Sequence, residues 1–275
     1  MDAGMNGFSA KAGRAGIALE DAGSWSIVPG NFRNGMPLPE PWAARFEPLR
    51  MAAPDGLSVV GQIGQSLDGR IATAAGHSHY INGPEGLDHL HRLRALVDAV
   101  VIGVGTALAD DPLLTVRRVS GPHPARVVID PRGRLPAGAR CLADDGVRRI
   151  VLGANRQAGG RPAGVECAAI PVADRSMAPA DILAALEAFG FRRILIEGGA
   201  NTVSRFLAAG CLDRLHIVVA PVVIGSGPAG ISLPPIATMT EALRPQVHIH
   251  ALGEEVLFDC DLSAQRAPGR AKKSL

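Results

Sequence analysis

Twice along this chain an unbroken run of mainly β-branched residues stops at glycines and resumes in a helical pattern, and this limits the fold more than any other feature. Ala99-Val-Val-Ile-Gly-Val-Gly-Thr106 is the first case and Ile194-Leu-Ile-Glu-Gly-Gly-Ala-Asn-Thr-Val203 the second. Consecutive apolar residues must be buried on both faces of a strand, so such runs belong in a parallel sheet covered by helices on each side. The pattern predicts strands at 57–64, 99–103, 126–130, 149–152, 192–197 and 214–220, with helices at 84–97, 179–189 and 200–209. That is a layered α/β domain. Two further strand-like segments, 246–251 and 255–262, surround Gly253 and predict an antiparallel hairpin closing one sheet edge.

The chain of 275 residues is long enough for a substantial core, and 47% hydrophobic against 20% charged residues is the composition of a folded protein. Lys+Arg 28 against Asp+Glu 26 gives no basic excess, and 4% aromatic residues offer no base-stacking platform, so nucleic acid is not an expected partner. Cys141, Cys167, Cys211 and Cys260 form no C-x-x-C pair, which argues against a zinc site or a disulfide framework. No apolar run is long enough to span a membrane, and the start has no leader-like pattern. A soluble cytoplasmic protein is expected. Residues 1 to about 55 carry Pro37, Pro39, Pro41, Pro48 and Pro54 and are expected as a Pro/Gly-rich, partly ordered extension. Trp25, Trp42 and Phe46 could dock it on the body or on a second subunit.

In the first glycine turn, Gly103 and Gly105 let backbone approach a ligand, although Leu108 stands where the dinucleotide fingerprint needs a small residue. A tight structural turn fits it equally. In the second, Glu197 ends the strand, Gly198 and Gly199 follow, and Asn201 and Thr202 open a helix, which makes an anion cradle without a lysine. Glu197 then stands where open α/β sheets bind ligands, or is a solvated strand-end charge. Two such units in one sheet suit an extended, phosphate-bearing cofactor. Gly225-Ser-Gly-Pro-Ala-Gly230 satisfies G-x-G-x-x-G, but Pro234 and Pro235 leave no helix behind it, so it is expected as a flexible glycine loop. His77, His79, His89 and His91 have the wrong spacing for a helical zinc pair, and no metal is expected. Asp68-Gly69 reads as a turn without chemistry, and Arg117 as a bidentate phosphate clamp or an isolated surface cation.

Taken in order, Ser66-Leu-Asp-Gly-Arg-Ile-Ala72, His91-Arg-Leu-Arg94, Val97-Asp98, Gly105-Thr106, Ala109-Asp-Asp-Pro112, Leu114-Thr-Val-Arg117, Val128-Ile-Asp130, Glu197-Gly-Gly199, Ala220-Pro221 and Gly225 resemble the riboflavin-biosynthesis reductase family. That family comprises the C-terminal reductase domain of the bacterial bifunctional deaminase-reductase and a stand-alone archaeal counterpart. The resemblance covers about residues 57 to 262. It implies a dihydrofolate-reductase-like three-layer sandwich over 56–263, with a basic tail at 264–275, NADPH as cofactor and a homodimer. The implied reaction reduces the ribosylamino group of an aminopyrimidine 5′-phosphate to ribitylamino, by hydride transfer to C1′.

Carried over residue by residue, the resemblance implies that Thr106, Asp110 and Gly198 to Thr202, including Ala200 and Asn201, contact cofactor together with Gly103 and Gly105. Ser78, Arg94, Leu114, Arg117 and Glu197 fall at substrate positions, with Arg94 and Arg117 holding the ribose phosphate and Glu197 the candidate catalytic carboxylate. Arg132, Arg134 and Arg156 are the cations near the expected 2′-phosphate. Gln62 stands where the bacterial domain has a substrate-binding lysine, Gln65 replaces a small residue, and Tyr80 takes an aromatic position. No deaminase-like zinc motif stands upstream, so the chain is not expected to be the bifunctional protein. Two other readings fit: the same fold and cofactor acting on a pterin or other heterocycle, and a nucleotide-binding module without turnover that serves a partner through its N-terminal arm.

Overall fold

A computed structural model describes residues 24–51, 53, 55–78, 81–155 and 160–266. Its centre is a nine-stranded sheet in the order β10-β11-β9-β1-β8-β2-β3-β4-β5. These strands are β1 (Ser58–Ser66), β2 (Ala99–Gly103), β3 (Ala125–Ile129), β4 (Arg149–Gly153), β5 (Val165–Ala169), β8 (Arg193–Glu197), β9 (Arg214–Ala220), β10 (Gln246–Leu252) and β11 (Glu255–Asp261). The seven from β9 to β5 in the sheet order run parallel. The β10–β11 hairpin adds on antiparallel to β9. A small ribbon, β6 (Val172–Ala173) with β7 (Ser176–Met177), stands apart.

Helices cover both faces, as the doubly apolar runs require. On one side, α5 (Pro179–Ala188) and α6 (Ala200–Ala208) pack on Val59, Val101, Val127, Ile194 and Ile196. On the other, α3 (Pro84–Leu96) covers Val60, Val100, Val128 and Leu195. α3 begins with Pro84 behind an extended Gly83, where a missing N–H costs nothing. β8 is inserted between β1 and β2, so residues far apart in sequence end side by side at the carboxyl edge of the sheet.

Each expected strand and helix is present within a residue or two. The glycine turn after β2 leads into a short helix, α4 (Val104–Asp110), and β5 and the β6–β7 ribbon are additional. Residues 24–51 differ from the expected extension. They form α1 (Val28–Arg33) and α2 (Trp42–Phe46), and Trp25, Val28, Trp42 and Phe46 belong to the same core as α3. Trp25 meets Trp42 edge-on at 5.2 Å, Phe46 stacks on His89 at 5.7 Å, and the Arg92 guanidinium lies 4.5 Å from the Trp42 ring. The Trp25 indole N–H donates to the Ser120 carbonyl at 2.8 Å. The prolines are compatible with this because α1 has its proline in the first turn and Pro41 precedes α2. Residues 1–23 and 267–275, with most of the expected basic tail, lie outside the described residues.

The glycine run 225–230 is also tied down rather than free. The Ile224 and Gly225 N–H groups donate to the two Asp68 carboxylate oxygens at 3.0 and 2.7 Å, and Arg70 donates to the Gly227 carbonyl. The hydrogen bonds from Ser66 and then from the Ile224 and Gly225 amides hold the Asp68 pKa down to about 2. The Ser66-Leu-Asp-Gly69 turn is therefore an anchor for the distant 222–230 strap.

Because Trp42 is fully buried, truncating it removes core volume. Trp42→Ala is expected to lower unfolding stability by about 3–5 kcal/mol. A pendant arm would leave the urea midpoint where it is.

Candidate active site

Three elements meet at the carboxyl edge. β1 contributes Gln62 and Gly64, the β8–α6 turn contributes Glu197, Gly198 and Gly199, and α4 contributes Thr106 and Asp110. Together with Asn82 they line a cleft of about 190 Å³. A larger hollow of about 420 Å³ lies at the far end of α6, bordered by Leu207, Leu233, Leu243 and Gln265, with no titratable side chain in its wall.

The two glycine turns interlock. A Cβ on Gly103 would stand 2.6 Å from the Thr202 hydroxyl, and a Cβ on Gly199 would stand 2.5 Å from the Thr106 hydroxyl. Each turn is glycine because the other's threonine occupies the space. Gly198 and Gly199 also have φ of +62° and +66°, a region costly for residues with a side chain. Beyond them, the N–H groups of Gly199, Ala200 and Asn201 have no hydrogen-bond partner among the described residues, as expected for the first turn of a helix facing a ligand.

Glu197 is 8% exposed and both its oxygens are engaged by Arg94, with the Arg94 Nε–H donating at 2.7 Å and Nη2 at 2.5 Å. Arg94, 4% exposed, gives its remaining Nη1 donor to the Thr115 carbonyl at 2.9 Å. A buried carboxylate without this partner would be severely penalised. Arg94, expected to hold the ribose phosphate, has its guanidinium engaged by Glu197 and Thr115 in this structure. Arg117 remains exposed, with no ion pair of its own among the described residues. Partial burial and then the neighbouring cations Arg94 and Arg140 lower its pKa, while Glu197 opposes them; Arg117 is not itself among the residues that line the cleft.

Of the other expected residues, Leu114 has its side chain in the core, so only its backbone, at φ +56°, can face a ligand. Gly105, Ala200 and exposed Asn201 flank the cleft on α4 and α6, and Ser78 stands in the loop before α3, outside the lining. Arg132 and Arg134 are exposed on the turn after β3, which buried Asp130 holds by accepting from the Arg134 and Leu135 N–H groups. His79, Tyr80 and Arg156 lie outside the described residues.

Asn82 is a lining residue that the sequence reading did not find. Its amide donates to Glu255 at 2.8 Å, and a Cβ on Gly64 would collide with its Oδ1. Glu255, buried in the C-terminal hairpin, also accepts the Gly86 N–H at 2.8 Å and so caps α3. An Asn before Gly-Pro reads as a turn, and the usable signal was Gly64 inside an apolar strand, which marks a close approach. The histidines diverge: His89 Nε2 lies 3.0 Å from His216 Nδ1, while His91 Nδ1 accepts the Arg117 N–H at 3.0 Å.

The fold is that of a dihydrofolate-reductase-like α/β domain, and its cleft lies at the interlocked glycine turns. The sequence profile of the RibD C-terminal domain matches residues 58–258. The 2,5-diamino-6-ribosylamino-4(3H)-pyrimidinone 5′-phosphate reductase of Methanothermobacter thermautotrophicus is 33% identical over 212 residues, 73% of this chain and 96% of that protein. The riboflavin biosynthesis protein RibD of Mycobacterium tuberculosis is 30% identical over 249 residues, 88% of this chain and 66% of that protein. Among solved structures, the Thermotoga maritima deaminase/reductase superposes with a TM-score of 0.64 at 26% identity, covering 74% of this chain and 56% of that one. The Saccharomyces cerevisiae riboflavin biosynthesis reductase Rib7 shares the fold, with a TM-score of 0.61 at 22% identity over 86% of this chain and 99% of that one. The chain thus spans nearly all of the archaeal relative but less than two thirds of these bacterial proteins. It belongs to the RibD C-terminal domain family, whose named members here are riboflavin-biosynthesis proteins and reductases.

Burial first, and then nearby positive groups, keep both α3 histidines neutral. His216, Arg45 and Arg92 face His89; Arg94, Arg117 and Arg118 face His91, whose pKa falls to about 3. The unfolded chain protonates each near 6.5 while the folded chain does not, so their contribution is complete above that pH and is lost as pH falls toward the folded values. Urea unfolding at pH 7.5, 6 and 5 is expected to show falling stability, with a slope of up to about 1.4 kcal/mol per pH unit for each histidine. His91→Asn should make the slope shallower. A flat profile would contradict the neutral assignment.

Proposed function

We propose that this chain is an NADPH-dependent reductase of a pyrimidine carrying a ribosylamino 5′-phosphate, converting the ribosylamino to a ribitylamino group. The observation that supports the reading is the interlock of the two glycine turns next to the buried, charge-balanced Glu197, an arrangement suited to a nucleotide cradle beside an acceptor. The names of the relatives supply the substrate class. When bound, the reduced nicotinamide would supply a hydride to C1′ of the ring-opened, imine-like sugar, with a proton from water completing the amine.

The residues present fit that cofactor. The amides of Gly199, Ala200 and Asn201, without a hydrogen-bond partner among the described residues, suit a pyrophosphate, and the side chain that approaches Gly198 and Gly199 most closely is the small Thr106. Thr106 and Asp110 line the same wall. Across the cleft, Gln62 and Glu197 are partners in register on β1 and β8, and both face the acceptor. Glu197 keeps its oxygens on Arg94, so its part is to orient a substrate hydroxyl or amine rather than to deliver a proton. The Gln62 carboxamide, 6% exposed and without a hydrogen bond among the described residues, offers a neutral donor and acceptor to the pyrimidine. Arg117 holds the ribose phosphate at the open side. Four free cysteines suit a reducing compartment such as the cytoplasm, and no described helix is long and apolar enough to cross a membrane.

Oxidation of NADPH should follow addition of the 2,5-diamino or the deaminated 5-amino phosphoribosylaminopyrimidine, with ribitylamino product identified by mass. No oxidation with either, but turnover of a pterin, would transfer the reading to that acceptor; NADPH binding without turnover of any would leave a binding module. Arg117→Ala should raise the pyrimidine KM about tenfold or more, the loss of one charge-assisted phosphate contact, with the NADPH KM nearly unchanged. Equal effects on both would remove the phosphate assignment.

We propose a homodimer through the outer strand β10 and the preceding strap. Val223, Met239 and Ile249 there are 69%, 69% and 66% exposed, and β10 is an unpaired sheet edge. Light scattering should read a dimer that Ile249→Lys converts to monomer. A monomeric wild type overturns this.

A further inference from the structure

Residues 112–117 lead from Pro112 at the cleft to Arg117 without regular secondary structure. Side chains nevertheless take successive peptide groups of this strap. Arg94 donates to the Thr115 carbonyl at 2.9 Å, the Val116 N–H donates to His123 Nδ1 at 3.0 Å, and the Arg117 N–H donates to His91 Nδ1 at 3.0 Å. Leu114 is left-handed at φ +56°, a conformation that persists in a non-glycine residue only where its surroundings over-determine it. Its 1% exposed side chain and the hooks on the three residues that follow do so.

His123 is an exposed hook, but His91 is 2% exposed on α3, three residues before Arg94. A ring nitrogen that accepts an amide hydrogen carries no proton, which puts the proton of the neutral ring on Nε2. The groups facing His91 are Arg94 on its own helix and Arg117 and Arg118 on the strap, all cationic, and burial adds to their effect. All of these disfavour protonation, so the acceptor persists at neutral and mildly acidic pH.

We propose that His91 is a positioning residue, whose unprotonated Nδ1 fixes the Arg117 peptide so that the Arg117 guanidinium stands ready for the substrate phosphate beside the Glu197–Arg94 pair. This rests on the reading of Arg117 as the phosphate-holding cation. One helix then sets both sides of the acceptor site: Arg94 fixes the carboxylate, and His91 fixes the free cation. A histidine chosen for packing alone would not need its Nδ1 aimed at that amide.

The test compares His91→Leu, His91→Asn and Arg117→Ala in the full chain. His91→Leu removes the acceptor, whereas the Asn oxygen can accept in place of Nδ1 without titrating. His91→Leu should raise the KM for the phosphorylated pyrimidine about tenfold, the scale of one buried hydrogen bond, with little change in kcat or in the NADPH KM. His91→Asn should restore most of the loss, and combining His91→Leu with Arg117→Ala should add little to Arg117→Ala alone. An unchanged KM, an equal loss on the phosphate-free riboside, or full additivity with Arg117→Ala overturns the proposal. Two measurements do not depend on turnover. Calorimetric binding of ribose 5-phosphate should weaken in His91→Leu, and unchanged affinity overturns the proposal. In nitrogen-labelled wild type, the His91 Nδ1 resonance must be that of an unprotonated acceptor; a protonated Nδ1 overturns it even if His91→Leu fails to fold. A wild type that binds ribose 5-phosphate through Arg117 but reduces neither pyrimidine would sink the proposed reaction and leave the His91 assignment standing.

Discussion

The buried ion pair between Arg94 and Glu197 is the constraint on which the site depends. A carboxylate and a guanidinium, each less than a tenth exposed, must satisfy one another or neither can be there. Glu197 is fixed by the end of β8, so the pair sets the height and rotation of α3 over the sheet. The third donor of Arg94 then draws in Thr115, and with it the strap that carries Arg117. An interaction that adds little net stability thus specifies where three elements meet.

The same face of the sheet carries a wider polar row. His248, Asp259, His216, Gln62 and Glu197 are successive partners in register on β10, β11, β9, β1 and β8. Asp259 accepts from Arg214 at 2.8 Å and lies 3.1 Å from His216, which meets His89 on α3. α3 is therefore joined to polar sheet residues at His89 near its middle and at Arg94 near its carboxyl end, and the N-terminal helices close over it through Phe46, Trp42 and Trp25. Of the two residues of this row that line the cleft, Glu197 is taken by Arg94, whereas the Gln62 side chain has no hydrogen bond among the described residues.

Much of the fold was legible because a strand buried on both faces has no polar alternation to hide it. β2 and β8, and the glycine turns behind them, could be read from residues 99–106 and 194–203, and the 246–262 hairpin from its central glycine. For the N-terminal segment the expectation that Trp25, Trp42 and Phe46 dock on the body holds, while its short helices were hidden for a physical reason. Pro29, Pro41 and Pro48 look like breakers, but a proline at or just ahead of a helix's first turn disrupts nothing, and burial of Trp42 depends on α3 some fifty positions away. Asp68 was likewise indistinguishable from an ordinary turn residue, because its partners, the amides of Ile224 and Gly225, are backbone groups with no sequence signature.

The amino-acid sequence by itself determined the parallel α/β class, the two glycine turns, and the residue types at the cleft, since these follow from local hydrophobic period and from the one residue that tolerates left-handed backbone. Tertiary structure alone decided which of two cations is paired and which is left exposed. Arg94 and Arg117 are equivalent as letters, and only the insertion of β8 between β1 and β2, with α3 above it, assigns one to Glu197 and leaves the other exposed. Charge pairing is a through-space interaction, and its partners are chosen by sheet order rather than by spacing along the chain.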